Sequence, residues 1–467
     1  MTIAQPARAV LLAMALATPG CSTISGFFGG ESRPEGVVGH VEGFIGAVVA
    51  DEPQAVLAAR QVLAAGGNAA DAAVALGLAL SVTLPSRVGL GSGGACLVHN
   101  GDAKASGVPS SIVFLPQGPA DPTGADRPAA APMLARGLFL LSARYGRARF
   151  ETQLVQAEIL AREGVPASRA FTRDLAVVGG ALAADGPARQ VFYPGGRAIA
   201  EGETLKQPDL AGTLAQIRHA GVGDLYQGTL ARRVLDGAAL AGAGLTQTDL
   251  KAALPKEMPA ITIDLGGDGT AAFLPLPADG GLAAAAAFQA LQAGAASEAG
   301  SRALAAAAQF RRSGGDAMAI LAARATTGSL PALPASTSFA AVDREGNAVV
   351  CAVSMGNLFG TGRMLPDTGM LLAASPARFP PPLYAAGMIT NRRTSGLIGL
   401  AGGSGQEGAA LAVAAALSRA ASGAAIEPAG APEPGRTNVI SCGGASGPKN
   451  CAWSTDPRGY GLAAGAN

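Results

Sequence analysis

Residues 68–86 read NAADAAVALGLALSVTLPS, and from Ala72 to Leu80 no side chain is polar. Continued as a helix, this stretch is apolar on nearly every face, so it has to be enclosed by other elements rather than laid on a surface. Asn68 is a candidate N-cap for it. Gly66 and Gly67 end a preceding helix, for which Asp51 and Pro53 are start signals. With the strand-like EGFIGAVVA upstream, the region reads strand, helix, helix. GLGSGGACLVHNG follows and matches G-x-G-x-x-G at Gly89, Gly91 and Gly94. A dinucleotide site needs a strand before that motif and a helix after it. Here the order is reversed, and the motif is rejected.

The composition can supply the core that such a helix demands. Of 467 residues, 49% are hydrophobic and 14% charged, the balance of a globular chain. The 66 Gly and 31 Pro predict many turns and close backbone contacts. Lys and Arg number 34 against 33 Asp and Glu, with no basic run, and aromatic residues make up 4%. Neither feature supports nucleic-acid binding. Residues 130–250 are rich in amphipathic helical patterns; a strand-like PAITIDL, a turn LPLPADGG and an Ala-rich helical pair over Gly281–Ala325 come next. From Ser336 the pattern turns to strands. TSFAAVD and NAVVCAVS flank REG as a hairpin, and SGLIGLAGGSGQEGAALAVAAALSRA reads as strand, Gly-rich turn and helix. No solenoid repeat and no exposed linker divides the chain, which reads as one large mixed domain.

The N-terminus, MTIAQPARAVLLAMALATPGCSTISGFFGG, places one basic residue, Arg8, ahead of an apolar stretch too short to span a bilayer. Small residues then lead to Cys21. The pattern resembles a bacterial lipoprotein signal: residues 1–20 removed, a lipid on Cys21, and an exported, periplasmic protein anchored to an envelope membrane. An ordinary secretory signal with an incidental cysteine is the other reading. Cys442 and Cys451 close a short Gly-rich loop, a candidate disulfide in an exported protein. Cys96 and Cys351 lie within apolar strand patterns and are expected as buried small hydrophobes.

Catalytic bases are scarce. His40, His99 and His219 stand apart, with no HExxH and no paired-cysteine spacing, so no metal site and no cofactor is expected. No serine lies in G-x-S-x-G. The chain points instead to chemistry that dispenses with histidine. A Ser or Thr freed at a chain terminus brings its own base, because its α-amine, with a pKa near ~8, takes the hydroxyl proton. That requires a cleavable loop, a strand to hold the residue, and backbone N–H groups for an oxyanion. LPASTSFAAVD supplies the first two at Ser336, and AGGSGQEG, a turn opening a helix, is a candidate for the third. Thr337 is the alternative one residue on, and a merely polar strand start is the bland reading.

At these residues the chain resembles the gamma-glutamyltranspeptidase family. LAAGGNAADAAVALGLALSVTLPSRVGLGSGGACLV is similar to its N-terminal signature. GVGDLYQGTLARRV, GLTQTDL, VDREGNAVVCAVSMGNLFGTG, GGSGQEGAA and TDPRGYGLAAG follow in family order, over roughly residues 40–465. The resemblance implies an α+β fold, the N-terminal-nucleophile hydrolase αββα sandwich of two stacked sheets between helical layers. It implies self-cleavage into a large portion, 21–335, and a small portion, 336–467, which remain associated in one domain. It also implies hydrolysis or transfer of γ-glutamyl groups. Ser336, seven residues before Asp343, stands at the family's nucleophile; Ser354 stands at the hydroxyl that steadies the α-amine; Gly405 and Gln406 stand at the backbone oxyanion donors.

The substrate-gripping positions depart from the family pattern. Leu115 stands where the family has the Arg that holds the substrate α-carboxylate, and Gly356 where it has an Asn, although Asn357 is adjacent. Ser375 and Arg378 replace a Gln and an Asp, and Tyr384 and Ala385 replace paired serines. Asn357, Ser375 and Arg378 remain the candidate substrate-binding residues, Arg378 either as a new anchor or as a solvated charge. Each lost charged hydrogen bond costs about 1.5–3 kcal/mol, so a glutamyl group held in the family's way is not expected. Two functions follow. One is an amidohydrolase or acyltransferase acting on a γ-glutamyl or other small amide. The other is a catalytically silent member that keeps the fold as an envelope binding or scaffold protein.

Overall fold

The structure, a computed structural model, describes residues 44–466 apart from 103, 106, 425–431 and 444–449. Cys21, residues 1–20 and His40 lie outside the described residues. Two antiparallel sheets form the centre. The first has seven strands in the order Leu462–Ala466, Gly46–Ala50, Thr337–Asp343, Ala348–Ser354, Gly93–His99, Ser110–Phe114, Lys256–Pro259. The second has six: Ala452–Thr455, Arg436–Ser441, Gly396–Ser404, Ala386–Asn391, Gly269–Phe273, Ile261–Asp264.

Three apolar clusters define four layers. One lies between the sheets and takes Ala340, Val342 and Val350 from the first and Met388, Leu400 and Ile440 from the second. Another packs Phe339, Ala341 and Val349 against the helix Ala69–Thr83, whose fifteen residues are all buried. The third sets the outer face of the six-stranded sheet against Asp279–Gln292, Ala299–Ser313 and Gly408–Ala421. The fold is therefore α+β, an αββα sandwich. Successive residues of Thr337–Asp343 enter different cores, so the strand is buried on both faces and reads as a continuous apolar run. Each large apolar side chain enclosed this way contributes about 1.5–3 kcal/mol.

Local details refine the sequence reading. The first helix, Pro53–Ala64, is capped by Glu52, whose carboxylate accepts from Ala55 N at 2.8 Å, and not by Asp51, which is engaged elsewhere. Asn68 does cap the buried helix, accepting from Asp71 N at 3.0 Å. The G-x-G-x-x-G stretch follows a helix and enters the strand Gly93–His99. The Ala-rich pair is three helices, because Gly314 and Gly315 end the second and the Asp316 carboxylate caps a third, Ala317–Ala323. Cys96 and Cys351 are buried but are not free thiols. They sit directly opposite on neighbouring strands, where side chains meet on one face, and are joined as a disulfide. Cys442 and Cys451 are joined as well.

The two most distinctive sequence segments interlock. In the hairpin turn the Asp343 carboxylate accepts from Glu345 N at 2.9 Å, Asn347 N at 3.0 Å and Asn347 Nδ2 at 2.8 Å. It also accepts from Ala69 N at 3.0 Å, the first residue of the buried helix, where an anion is favoured by the unpaired N–H groups. The hairpin is thereby fixed to the helix that covers it.

Candidate active site

The hairpin register, Thr337 opposite Val353, carries Ser336 and Ser354 to the same end of the seven-stranded sheet. Ser354 Oγ donates to the Ala335 carbonyl at 2.7 Å and accepts from Gly356 N at 2.9 Å. The acceptor is the carbonyl of the bond expected to break. Ser336 is buried, 1% exposed, and its Oγ has no hydrogen-bond partner among the described residues. The hydroxyl next to it is committed: Thr337 Oγ1 donates to Asp51 Oδ2 at 2.6 Å, and Asn438 Nδ2 donates to Asp51 Oδ1 at 2.8 Å. Of the two neighbouring hydroxyls, only that of Ser336 is available.

Gly405 and Gln406 reach the same place from the other sheet, in the turn between Gly396–Ser404 and Gly408–Ala421. Gly405 has φ +96°, and a Cβ there would lie 1.8 Å from Pro434 O, so no other residue fits. Gln406 holds φ +53° with a side chain, and its Nε2 donates to Leu333 O at 3.0 Å. That contact pins the loop just ahead of the Ala335–Ser336 bond.

Ser336, Ala335, Gly405 and Gln406 line a pocket of about 300 Å³ whose remaining wall is rich in arginine: Arg87, Arg173, Arg436 and Arg458. Arg87 Nε meets Asp174 Oδ2 at 2.7 Å, and Arg436 lies 3.1 Å from Glu433. Burial pushes the Asp456 carboxyl up, but its hydrogen bonds from Arg458 outweigh this and hold it below the usual carboxylate range. Arg173 makes no ion pair among the described residues; its guanidinium lies 5.0 Å from the centre of the Tyr460 ring, a cation–π contact.

A second cavity, of about 460 Å³, contains three of the positions that depart from the family pattern, Leu115, Gly356 and Tyr384, with Val113, Met258 and Phe379. Its polar groups are Gln117, Lys256, Asp279, Arg311 and Tyr384. Arg311 pairs with Asp279 and donates to Pro381 O at 2.9 Å. Burial raises the Asp279 carboxyl, and the Arg311 hydrogen bond opposes it. Arg311 Nη1 and the Tyr384 hydroxyl are buried without partners among the described residues. Burial also drives the Tyr384 phenol far up, so it stays protonated and can donate.

The candidate substrate-binding residues are not brought to Ser336. Asn357 is exposed and its Oδ1 accepts from Leu358 N at 3.0 Å; Arg378 is exposed in a turn whose amide bonds back to Ser375 O. Ser375 is buried, and its Oγ accepts from Ala377 N at 3.3 Å. Each serves its own turn, and none lines either cavity. Sequence reasoning missed Asp51, Arg173, Arg436 and the Gln406 side chain. The first three come from segments far apart in the chain and share no motif. Among the described residues, no group of three or more His, Cys, Asp or Glu is placed to hold a metal ion.

Comparison with known proteins gives the family. The gamma-glutamyltranspeptidase family model matches residues 55–326. The glutathione hydrolase proenzyme of Bacillus subtilis is 30% identical over 44% of this chain and 38% of its own length. The acylase ACY 1 proenzyme of a Pseudomonas strain is 30% identical over 44% and 40% respectively. The matched segments thus span about two fifths of these relatives. Among solved structures, a cephalosporin acylase from Bacillus halodurans superposes with a TM-score of 0.72 at 22% identity, covering 94% of this chain and 99% of that one. The gamma-glutamyltranspeptidase of Helicobacter pylori gives 0.51 at 23% identity, over 60% and 91%. The fold is shared over nearly the whole chain and the family model matches more than half of it, so the chain belongs to the gamma-glutamyltranspeptidase family.

Proposed function

We propose that the protein is an N-terminal-nucleophile amide hydrolase or acyltransferase that makes its nucleophile by cutting its own chain between Ala335 and Ser336. One observation carries this: the Ser354 hydroxyl sits on the Ala335 carbonyl beside an uncommitted Ser336 hydroxyl. In the cut, Ser336 Oγ attacks the Ala335 carbonyl carbon while Ser354 stabilises the oxygen as it gains charge. The C–N bond breaks, the Oγ proton passes to the Ser336 nitrogen, and water hydrolyses the resulting ester to an Ala335 carboxylate and a free Ser336.

The liberated α-amine then serves as the base. It takes the Oγ proton as Ser336 attacks a substrate amide, and returns it to the leaving amine. Gly405 and Gln406 N–H groups bind the oxyanion. Water or a second amine accepts the acyl group. The substrate is a γ-glutamyl or other small amide.

The portions before and after Ser336 stay together: Gly46–Ala50 lies between Leu462–Ala466 and Thr337–Asp343 in one sheet, which supports this. The protein is exported, with residues 1–20 removed and a lipid on Cys21 holding it to an envelope membrane. Two disulfides support an oxidising compartment.

Purified protein run on a reducing denaturing gel, with N-terminal sequencing of each band, tests the proposal. Two fragments are expected, one starting Ser-Thr-Ser-Phe. A single uncut chain after prolonged incubation rejects it and returns the silent scaffold.

A further inference from the structure

Two cavities of opposite character adjoin the Ser336 end of the sheet. The arginine-lined pocket contains Ser336 itself. The apolar one begins at Gly356, whose N–H bonds to Ser354 Oγ, one link from the Ala335 carbonyl. It then follows the sheet edge outward. The strand ending at Ser354 neighbours that of Ser336, and the strand leading into Leu115 lies two places further. At about 4.8 Å per strand, the cavity spans roughly 10 Å from the strand of Ser354 and ends roughly 14 Å from that of Ser336. Its volume of about 460 Å³ is that of a small-molecule site.

The chemistry of each wall restricts what fits. Leu115, Val113, Met258 and Phe379 make an apolar wall, on which the charged groups are Lys256 and the paired Asp279 and Arg311. The Tyr384 hydroxyl and Arg311 Nη1 are buried and unsatisfied, a cost that an occupant with an acceptor oxygen removes. In the Ser336 pocket, Arg173 is an exposed guanidinium with no direct ion pair among the described residues, attracted by Glu201 and held against Tyr460.

We propose, resting on the reading of Ser336 above, that the substrate is an N-acylated amino acid. Its acyl group, apolar along most of its length and bearing an acceptor oxygen toward Tyr384 and Arg311, fills the cavity behind Gly356, and the carboxylate of its amine half meets Arg173. Cleavage forms the Ser336 ester of the acyl group and releases the amino acid with the Oγ proton on its nitrogen. Water then frees the fatty acid.

The test uses mature, self-cut protein and four substrates: N-octanoylglycine, N-acetylglycine and the glycinamide of each, with the freed amine measured. The kcat/KM is expected to rise about fourfold for each methylene buried, the equivalent of about 0.8 kcal/mol. It should fall at least tenfold when the carboxylate becomes an amide. Leu115→Glu should shrink only the chain-length effect and Arg173→Ala only the carboxylate effect. Indifference to either half, or faster cleavage of γ-glutamylglycine than of octanoylglycine, overturns the assignment. Failure of the underlying reading is seen separately, as an uncut chain on the reducing gel. In that event calorimetry of N-octanoylglycine with the Ser336→Ala protein decides. Binding weakened tenfold by Leu115→Glu supports the site, and no binding removes it.

Discussion

The Thr337–Asp343 strand has two very different ends. At its turn the Asp343 carboxylate accepts four hydrogen bonds and joins the hairpin to the buried helix. At its start the Ser336 hydroxyl accepts and donates none, beside a carbonyl already held by Ser354. A buried polar group left unpaired costs roughly 1–3 kcal/mol, so one end of the strand holds the fold and the other carries a deficit that the proposed function puts to use. The contrast teaches which substitutions will damage stability and which will damage reaction.

The largest expected effect is at the start. Ser336→Ala should abolish self-cleavage and all amide turnover while leaving the melting temperature nearly unchanged, read by reducing gel and calorimetry. A cut chain in that variant would move the nucleophile elsewhere. At the turn, Asp343→Ala should cost about 3–5 kcal/mol, seen as a lower urea midpoint and poor soluble yield. Asp343→Asn, which keeps one acceptor oxygen, should lose less.

Ser354→Ala comes next. Losing the donor on the Ala335 carbonyl should slow cutting about 10²–10³-fold, with a stability loss of about 1–3 kcal/mol because Gly356 N loses its acceptor. An unchanged time course would show that the hydroxyl only fills space.

The smallest effect tests an exception at the stable end. His99, opposite Ala348, is buried with Nε2 2.8 Å from Ser395 O, and its Nδ1 has no partner among the described residues. Burial lowers its pKa, and the bond to Ser395 opposes this. The unfolded chain therefore binds a proton first. The contribution of neutral His99 is full above about pH 6.5 and lost as pH falls below it, at up to ~1.4 kcal/mol per unit. Urea midpoints at pH 7.5, 6.5 and 5.5 should show this slope, and His99→Gln should flatten it.

Much of the fold was legible because its cause is local. The run from Ala72 to Leu80 demands enclosure, Asn68 caps as its side chain dictates, and the REG turn sets a hairpin. The place of Ser336 at the head of a strand was legible because a loop, a hydroxyl and a strand pattern occur in succession. The rest depends on distance in sequence. Arg87, Arg173, Arg436 and Arg458 meet only after folding. Asn357, Ser375 and Arg378 were placed by alignment of positions, but the Asn357 and Ser375 side chains bond within their own turns and Arg378 is exposed. Cys96 and Cys351, 255 residues apart, looked like isolated hydrophobes because nothing local marks strand register.

That sulfur bridge has a consequence for the proposed self-cutting. Cys96 belongs to the portion before Ser336 and Cys351 to the portion after it. Opening the backbone therefore yields a two-chain molecule that dilution or denaturant cannot separate while the bridge is oxidised. Without reductant the matured protein should migrate as a single species.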